Sequence, residues 1–375
     1  MSIMPGAMLG LLGGGQLGRM FVMAAQSMGY SVTVLDPASD SPAGSLADRH
    51  LRADYLDSDA LRKLASTCAG VTTEFENVPA ESLRILAEHC VVSPPAGSVA
   101  IAQDRILEKQ FLVANGFAVT PFAVVQGSSE VLPQTHPELF PGILKVSRLG
   151  YDGKGQARIS NAAELDAAFA GMKREPCVLE QLLPLDNEVS VVVARGFDGE
   201  VAAFPAAENR HRHGILDVSI VPARISPAIV RDACDTAIQV AEKLDYHGVL
   251  CVEFFVLADG RLLVNEIAPR PHNSGHYTLD ACVTSQFEQQ VRVLCGLPLG
   301  ATAMQGAAVM VNLLGDLWRR GEPKWEKVLR HPHVKLHLYG KLDARPGRKM
   351  GHYTVLAATS EEALRLALEI KQSLA

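Results

Sequence analysis

With 375 residues, 48% of them hydrophobic and 20% charged, the chain has room for two or three domains and the composition of a globular protein. A formal charge of −6 gives no electrostatic case for a nucleic-acid or anionic-membrane partner, and no apolar run reaches the length of a membrane span. The opening MSIMPGAMLGLLGGG lacks the basic stretch of a signal peptide, and seven scattered cysteines without a C-x-x-C fit reduced thiols in a cytoplasm better than disulfides or zinc.

The first ninety or so residues alternate strand and helix: strands over 7–12, 31–35 and 70–73, helices over 16–28, 61–68 and 80–89. This is the pattern of a doubly wound parallel sheet. Gly13, Gly15 and Gly18 satisfy G-x-G-x-x-G between the first strand and helix, and Asp36 ends the second strand. Taken alone, this predicts a dinucleotide site. The glycines supply a tight turn and exposed N–H groups at a helix N-terminus, so any phosphate could sit there, or they could serve only close strand–helix packing. Thr73-Glu74-Phe75-Glu76-Asn77-Val78-Pro79 follows the next strand at the ligand-binding edge of such sheets. It offers two acids and an amide to a polar ligand, or a helix cap at Asn77 before Pro79.

From Pro94 the texture changes. Ile101 to Gly116 has helical spacing. A strand over 142–147 contains Lys145, and Arg148-Leu149-Gly150-Tyr151-Asp152-Gly153-Lys154-Gly155-Gln156 precedes another at 157–159. Such a glycine-rich loop can close over a triphosphate with its N–H groups, or be a long hairpin turn; it is not a Walker A loop. Strands follow at 177–181, before Gln181-Leu182-Leu183, and from Glu188 to Ala194. Asn209-Arg210-His211-Arg212-His213-Gly214 reads as a basic loop, and 225–244 as an amphipathic helix.

Gly248 to Thr278 is the most informative stretch. Val249–Leu257 and Arg261–Ile267 flank Asp259-Gly260, a two-residue turn signal, and centring a hairpin there sets Glu253 opposite Glu266. Two carboxylates across a strand pair repel. A Mg²⁺ ion with nucleotide phosphates would hold them together; a one-residue slip would instead turn both to solvent. Ala268-Pro269-Arg270-Pro271-His272-Asn273-Ser274-Gly275-His276 then concentrates donors suited to a transferring phosphoryl group. The last seventy residues read as a smaller unit, with strands at 308–314, 335–339 and 354–358 and a helix over 360–374 capped by Ser360. Lys341 and Arg345-Pro346-Gly347-Arg348-Lys349 form a basic cluster, either solvated or aimed at an anion.

Together, Lys145, GYDGKGQ, Glu180-Gln181-Leu182-Leu183, Glu253 and Asn265-Glu266 resemble the nucleotide site of the ATP-grasp superfamily. GGGQLGRM, TEFENVP, Gln103-Asp104-Arg105, NEIAPRPHNSGHYT and RPGRKMGH are similar to its 5-(carboxyamino)imidazole ribonucleotide synthase family, in order from Leu9 to the last helix. The resemblance implies an α/β and α+β molecule: a doubly wound N-terminal domain (1–93), an ATP-grasp domain (94–300, small lobe about 120–185) and a small β-rich C-terminal domain (301–375). It implies ATP-dependent carboxylation of 5-aminoimidazole ribonucleotide with bicarbonate, in the cytoplasm, by a homodimer whose partners are small molecules.

The same resemblance distributes roles over matched positions. Arg105, Lys145, Gly150, Tyr151, Asp152, Gly153, Lys154, Gly155 and Gln156 would hold the ATP phosphates. Glu180, Gln181, Leu182, Leu183, Glu188 and His211 would hold adenine and ribose, with Asn265 and Glu266 at the nucleotide and Glu253 and Glu266 binding Mg²⁺. Gln16, Leu17, Glu74, Tyr151, Asp152, Lys341 and Arg348 would hold the ribonucleotide, so that the glycine turn takes substrate and not a nicotinamide cofactor. The chemistry, apart from the resemblance, suggests Arg270, His272 and Asn273 around bicarbonate, with Lys341 and Asp152 also expected to be catalytic. Rival readings are another ATP-grasp ligase such as a formate-using transformylase or a biotin carboxylase, a dinucleotide-dependent dehydrogenase, and a non-catalytic nucleotide sensor.

Overall fold

In the computed structural model, residues 2–127, 136–150 and 155–374 are described. Five parallel strands, β1 (Met8–Leu12), β2 (Ser31–Leu35), β3 (Arg49–Leu51), β4 (Gly70–Thr73) and β5 (Val91–Val92), run in the order β3-β2-β1-β4-β5. Leu9, Leu11, Val32, Val34 and Val71 are fully buried, as strands covered by helices on both faces require. The covering helices include α1 (Gln16–Ser27), α2 (Ser58–Thr67) and α3 (Ala80–Ala87). Strand order reverses at β1, which opens a crevice at the carboxyl ends of β1 and β4. Asn77 does not cap α3: Pro79 occupies the cap position and no side chain bonds the first turn.

The single helix expected over 101–116 is two: α4 (Ala96–Ala102) and α5 (Arg105–Ala114). Asp104 breaks the run, because its side chain accepts the N–H groups of Ile106 (3.0 Å) and Leu107 (3.4 Å) and so starts a new helix. A small antiparallel sheet follows, built from β6 (Phe122–Val125), β7 (Gly142–Val146), β8 (Gln156–Ile159) and β9 (Cys177–Gln181) in the order β6-β9-β7-β8. Helix α6 (Ala162–Gly171) packs Leu165 and Phe169 onto it.

The largest sheet has nine strands: β10 (Leu185–Arg195), β11 (Val201–Ala203), β12 (Ala207–Arg212), β13 (Ile215–Val221), β14 (Gly248–Leu257), β15 (Leu262–Ala268), β16 (Ala307–Leu314), β17 (Val334–Leu338) and β18 (Lys349–Ala357). Its order is β15-β14-β10-β12-β13-β16-β18-β17, with β11 on β10. The C-terminal strands therefore continue the central sheet through β16 on β13. Helix α7 (Pro227–Lys243) buries Ala233, Ala237, Val240 and Ala241 against Val191, Val193, Leu250 and Val252. Helix α8 (Gln286–Leu294) packs between α1 and this sheet, and α9 (Ser360–Leu374) covers β16 and β18.

Two local expectations are corrected here. The basic loop at 209–214 is strand through Arg212; only His213 and Gly214, at φ 54° and 77°, form the turn. Both left-handed residues give the primed turn that matches strand twist. Strand β12 was hidden because polar residues occupy both its faces, so it lacks the two-residue hydrophobic period. The cap of α9 is Thr359, whose hydroxyl accepts the Glu362 N–H at 3.2 Å, while Ser360 donates to the Pro222 carbonyl at 3.1 Å.

Candidate active site

Glu253 on β14 stands opposite Glu266 on β15, but two departures from a regular hairpin produce that pairing. The loop is three residues, Ala258-Asp259-Gly260, closed by Leu257 N–H to Arg261 O and Gly260 N–H to Leu257 O, both 2.9 Å. Gly260 is left-handed at φ 85°. Pairs near the turn are Val256 with Leu262 and Phe254 with Val264, a register that would set Glu253 against Asn265. A β-bulge then inserts Asn265 as an extra residue and returns Glu266 to Glu253. The two one-residue shifts cancel.

Cations surround this pair. Arg105, first residue of α5, donates from Nη2 to Glu266 Oε2 at 2.8 Å. Burial by itself would raise the Glu266 carboxyl, but Arg105 and Lys145 hold it below its ordinary range. Lys145 on β7 donates to Glu180 Oε2 at 2.7 Å, and the wholly buried Lys109 lies 3.4 Å from Oε1. Against the opposing effect of burial, Lys145, Lys109 and Arg105 bring Glu180 down to about 2. Glu180 and Gln181 end β9, and Leu182 N–H bonds Pro141 O at 2.9 Å, so Leu183 follows in a half-buried link to β10. On β10 and β12, Glu188 Oε2 lies 3.2 Å from His211 Nδ1. Burial lowers His211, and Glu188 more than reverses that. Arg105 Nη1 and Asn265 Oδ1 are buried with no hydrogen-bond partner among the described residues. One is a donor suited to a phosphate oxygen, the other an oxygen suited to a hard cation.

The segment after β15 folds back over the hairpin. His272 Nε2 lies 3.1 Å from Glu253 Oε1, and its Nδ1 is 2.8 Å from Ser274 Oγ. Burial works against an imidazolium here, yet the Cys251 sulfur and the Glu253 carboxylate outweigh it and raise His272 to about 10. Behind it runs a buried polar chain: Ser274 to Ser190 (2.7 Å), Asn209 to Ser190 (2.8 Å) and Ser219 to Asn209 (2.8 Å). Arg270 is paired through Nε with Glu76, which brings the TEFENVP segment beside the metal-type hairpin. Both ends of the Asn273 amide are joined to Asn312, at 3.0 and 2.7 Å.

In the crevice of the parallel sheet, Gly15 and Gly18 N–H groups donate to the two oxygens of Glu74, at 2.8 and 3.0 Å. A carboxylate thus sits at the N-terminus of α1, where the helix dipole favours it. Burial nonetheless raises the Glu74 carboxyl overall. Asp36 accepts the Gly14 N–H at 2.7 Å and the Tyr55 hydroxyl at 2.8 Å, so it buttresses the turn and does not face a ribose. The dinucleotide expectation fails for this reason: the N–H groups of Gly14, Gly15 and Gly18 are bonded to acidic side chains of the same domain, and that of Gly13 to Leu35 O. Gln16 and Leu17 lie between the two that Glu74 takes.

Tyr339 packs with Leu17, Met20 and Phe287, and Gly340 lies against the Arg19 guanidinium, so the loop after β17 abuts the start of α1. Lys341 follows, with Nζ 5.6 Å from the Tyr339 ring and 2.7 Å from Lys349 O. Arg348 donates to Asp343 O at 2.7 Å. Asp280, His337 and His352 bring ligand atoms within 4.8 Å of one another. The two imidazoles stack only 15° from parallel, however, which keeps their in-plane lone pairs from converging on one ion. Gly150, Gly155 and Gln156 are described, whereas Tyr151, Asp152, Gly153 and Lys154 lie outside the described residues.

Sequence reasoning passed over Glu108 and Lys109, buried beside this site. Their signal was present: Arg105, Glu108, Lys109 and Leu112 share helical spacing, which puts charges on the core-facing stripe. Asn312 and Ser190 carry no comparable sequence signal.

Three family models cover most of the chain: a ribonucleotide synthetase preATP-grasp domain (7–103), an ATP-grasp domain (110–287) and a phosphoribosylaminoimidazole carboxylase C-terminal domain (308–366). The N5-carboxyaminoimidazole ribonucleotide synthase of Bacillus subtilis is 44% identical over 360 residues, covering 96% of this chain and 94% of that protein. Its Brucella melitensis counterpart is 46% identical over 355 residues, covering 94% and 97%. A crystal structure of an N5-carboxyaminoimidazole ribonucleotide synthetase with ADP superposes with a TM-score of 0.92 at 41% identity, covering 99% of this chain and 97% of that one. The Aspergillus clavatus enzyme in complex with ADP and 5-aminoimidazole ribonucleotide gives 0.89 at 31% identity, covering 98% of each. With that identity running nearly end to end over the same three-part architecture, the chain belongs to the N5-carboxyaminoimidazole ribonucleotide synthase family of ATP-grasp ligases.

Proposed function

We propose that the chain joins bicarbonate to the exocyclic amine of 5-aminoimidazole ribonucleotide at the expense of ATP, giving the N5-carboxylated ribonucleotide, ADP and phosphate in purine biosynthesis. The observation that carries this is the convergence, on one hairpin, of Glu253, Glu266 and the unpartnered Asn265 Oδ1 beside Lys145 and Arg105. Relatives of the same length have been seen with ADP and with the ribonucleotide itself.

The all-oxygen set of Glu253, Asn265 and Glu266 suits Mg²⁺, which would offset charge on the nucleotide phosphates. Lys145 and Arg105 would do the same from the protein side, and the 150–156 loop would close over the phosphates. Glu180 to Leu183, Glu188 and His211 line the route to adenine and ribose. A bicarbonate oxygen attacks the γ-phosphorus and ADP leaves, which forms carboxyphosphate. The ribonucleotide amine then takes the carboxyl carbon and phosphate departs; holding both reactants in place supplies most of the gain. Arg270, already balanced by Glu76, is positioned to receive the bicarbonate charge. Both nitrogens of His272 are engaged, Nε2 with Glu253 and Nδ1 with Ser274, so the ring is held in place and orients Glu253. Asn273, bonded at both amide ends, braces the loop from Asn312. Gln16, Leu17, Glu74, Lys341 and Arg348 form the ribonucleotide side, with Tyr151 and Asp152 from the glycine-rich loop. A cytoplasmic homodimer completes the proposal.

The test is ADP release from Mg²⁺, ATP and bicarbonate, with and without 5-aminoimidazole ribonucleotide. Release that requires the ribonucleotide and consumes its free amine is expected. Release indifferent to it would point to another amine acceptor, and no release would overturn the catalytic assignment.

A further inference from the structure

Strand β15 is the edge of the large sheet, and among the described residues its outer side has only an isolated bridge, Val264 to Val119, closed by Val264 N–H to Ala118 O at 2.8 Å. A bulge on an edge strand is free to migrate, because a shift of the inserted residue costs few ladder bonds. Here migration by one position would replace Glu266 opposite Glu253. The carbonyl of the bulge residue and the N–H two residues further on are bonded to consecutive residues of α5. Lys109 Nζ donates to Asn265 O at 3.1 Å, and Ile267 N–H donates to Glu108 Oε1 at 2.5 Å. One turn earlier, Arg105 holds Glu266 itself. Three side chains of one helix thus grip residues 265, 266 and 267 in succession.

Burying Glu108 and Lys109 is expensive, since each charge loses its hydration. Apolar side chains would fill that space more favourably if filling it were the only need. Lys109 also reaches Glu180 on the other wall of the site, which ties the hairpin to the small sheet. We propose that Glu108 and Lys109 are positioning residues that lock the bulge in register and thereby fix the metal-facing atoms of Asn265 and Glu266. This rests on the Mg²⁺–nucleotide assignment of the hairpin.

The test uses the full chain with Mn²⁺ and ADP, read by electron paramagnetic resonance without turnover, and amide hydrogen exchange at Ile267 in metal-free protein. Lys109→Met and Glu108→Ala are expected to weaken Mn²⁺–ADP binding by about 10- to 100-fold, the usual effect of losing a group that orients a metal ligand. Glu108→Gln keeps an acceptor for Ile267 N–H and should fall between parent and Glu108→Ala. Parental binding together with parental Ile267 exchange in both truncated variants would overturn the clamp. If Glu108→Ala yields no folded protein, Ile267 exchange in Glu108→Gln decides. Burial lifts the Glu108 carboxyl to about 7, so the comparison is read at about pH 9, where the parental carboxylate is ionised; the neutral amide then holds the N–H more weakly, faster exchange is expected, and an unchanged rate overturns the proposal. A parent that binds no Mn²⁺–ADP would instead refute the metal–nucleotide assignment, while the exchange comparison would still judge the clamp.

Discussion

Replacing Glu180 with glutamine removes the carboxylate on which Lys145 and Lys109 converge. The side chain is only 3% exposed, so solvent screens the interaction little. Its carboxyl is held at about 2 against an ordinary 4.5, with burial opposing and the three nearby cations prevailing. A lowered folded-state value means stability that is present above the unfolded value and lost as pH falls through the folded one. By linkage the shift corresponds to about 3 kcal/mol at neutral pH and about 2 kcal/mol near pH 3.5. The variant also strands Lys109 in the interior, so the total loss at pH 7 should be about 3–5 kcal/mol. Urea unfolding followed by circular dichroism, on nucleotide-free parent and Glu180→Gln at pH 7 and about pH 3.5, reads both quantities. The gap between the two proteins should narrow by about 1 kcal/mol at the lower pH. A loss below about 1 kcal/mol at pH 7, or a gap that does not change with pH, would refute the reasoning.

Glu253→Gln should lower the His272 titration midpoint from about 10 by roughly 1–3 units, read by NMR of labelled histidine. Because the parental value is raised, His272 contributes stability below its ordinary 6.5 that disappears as pH climbs through 10; in the variant this contribution should be smaller and disappear at lower pH, and an unmoved midpoint would contradict the pairing. Gly15→Ala would place a Cβ 2.4 Å from Glu74 Oε1 and force that carboxylate off the helix N-terminus. Steady-state kinetics should show the KM for the ribonucleotide rising about 10- to 100-fold with the KM for ATP nearly unchanged, whereas equal changes in both would indicate general damage. Asn312→Ala should leave the buried Asn273 amide unpaired at both ends and cost about 1–3 kcal/mol in urea unfolding; a neutral effect would mean that the amide finds other partners.

Much of the site is written locally. The glycine turn before α1, the paired strands around Gly260 and the acidic residues within them follow from short-range rules: hydrophobic period, turn chemistry and the alternation of side chains on a strand. Such rules act over a few residues, so they were readable, and the opposition of Glu253 and Glu266 was among them. The route to that opposition was not. A three-residue loop and a bulge cancel, and the bulge depends on Glu108 and Lys109, 159 and 156 residues away in sequence from the groups they bond.

The other contacts missed also join residues far apart in sequence, by 59, 39 and 194 positions. That Glu74 occupies the glycine turn, that Asn312 holds Asn273 and that Glu76 pairs with Arg270 are bonds between elements brought together only by packing. Sequence patterning determines which face of an element is apolar, because that energy is additive along the element. Which polar group meets which depends on where those faces dock, and a buried charge settles its protonation and orientation only against the partners that docking supplies.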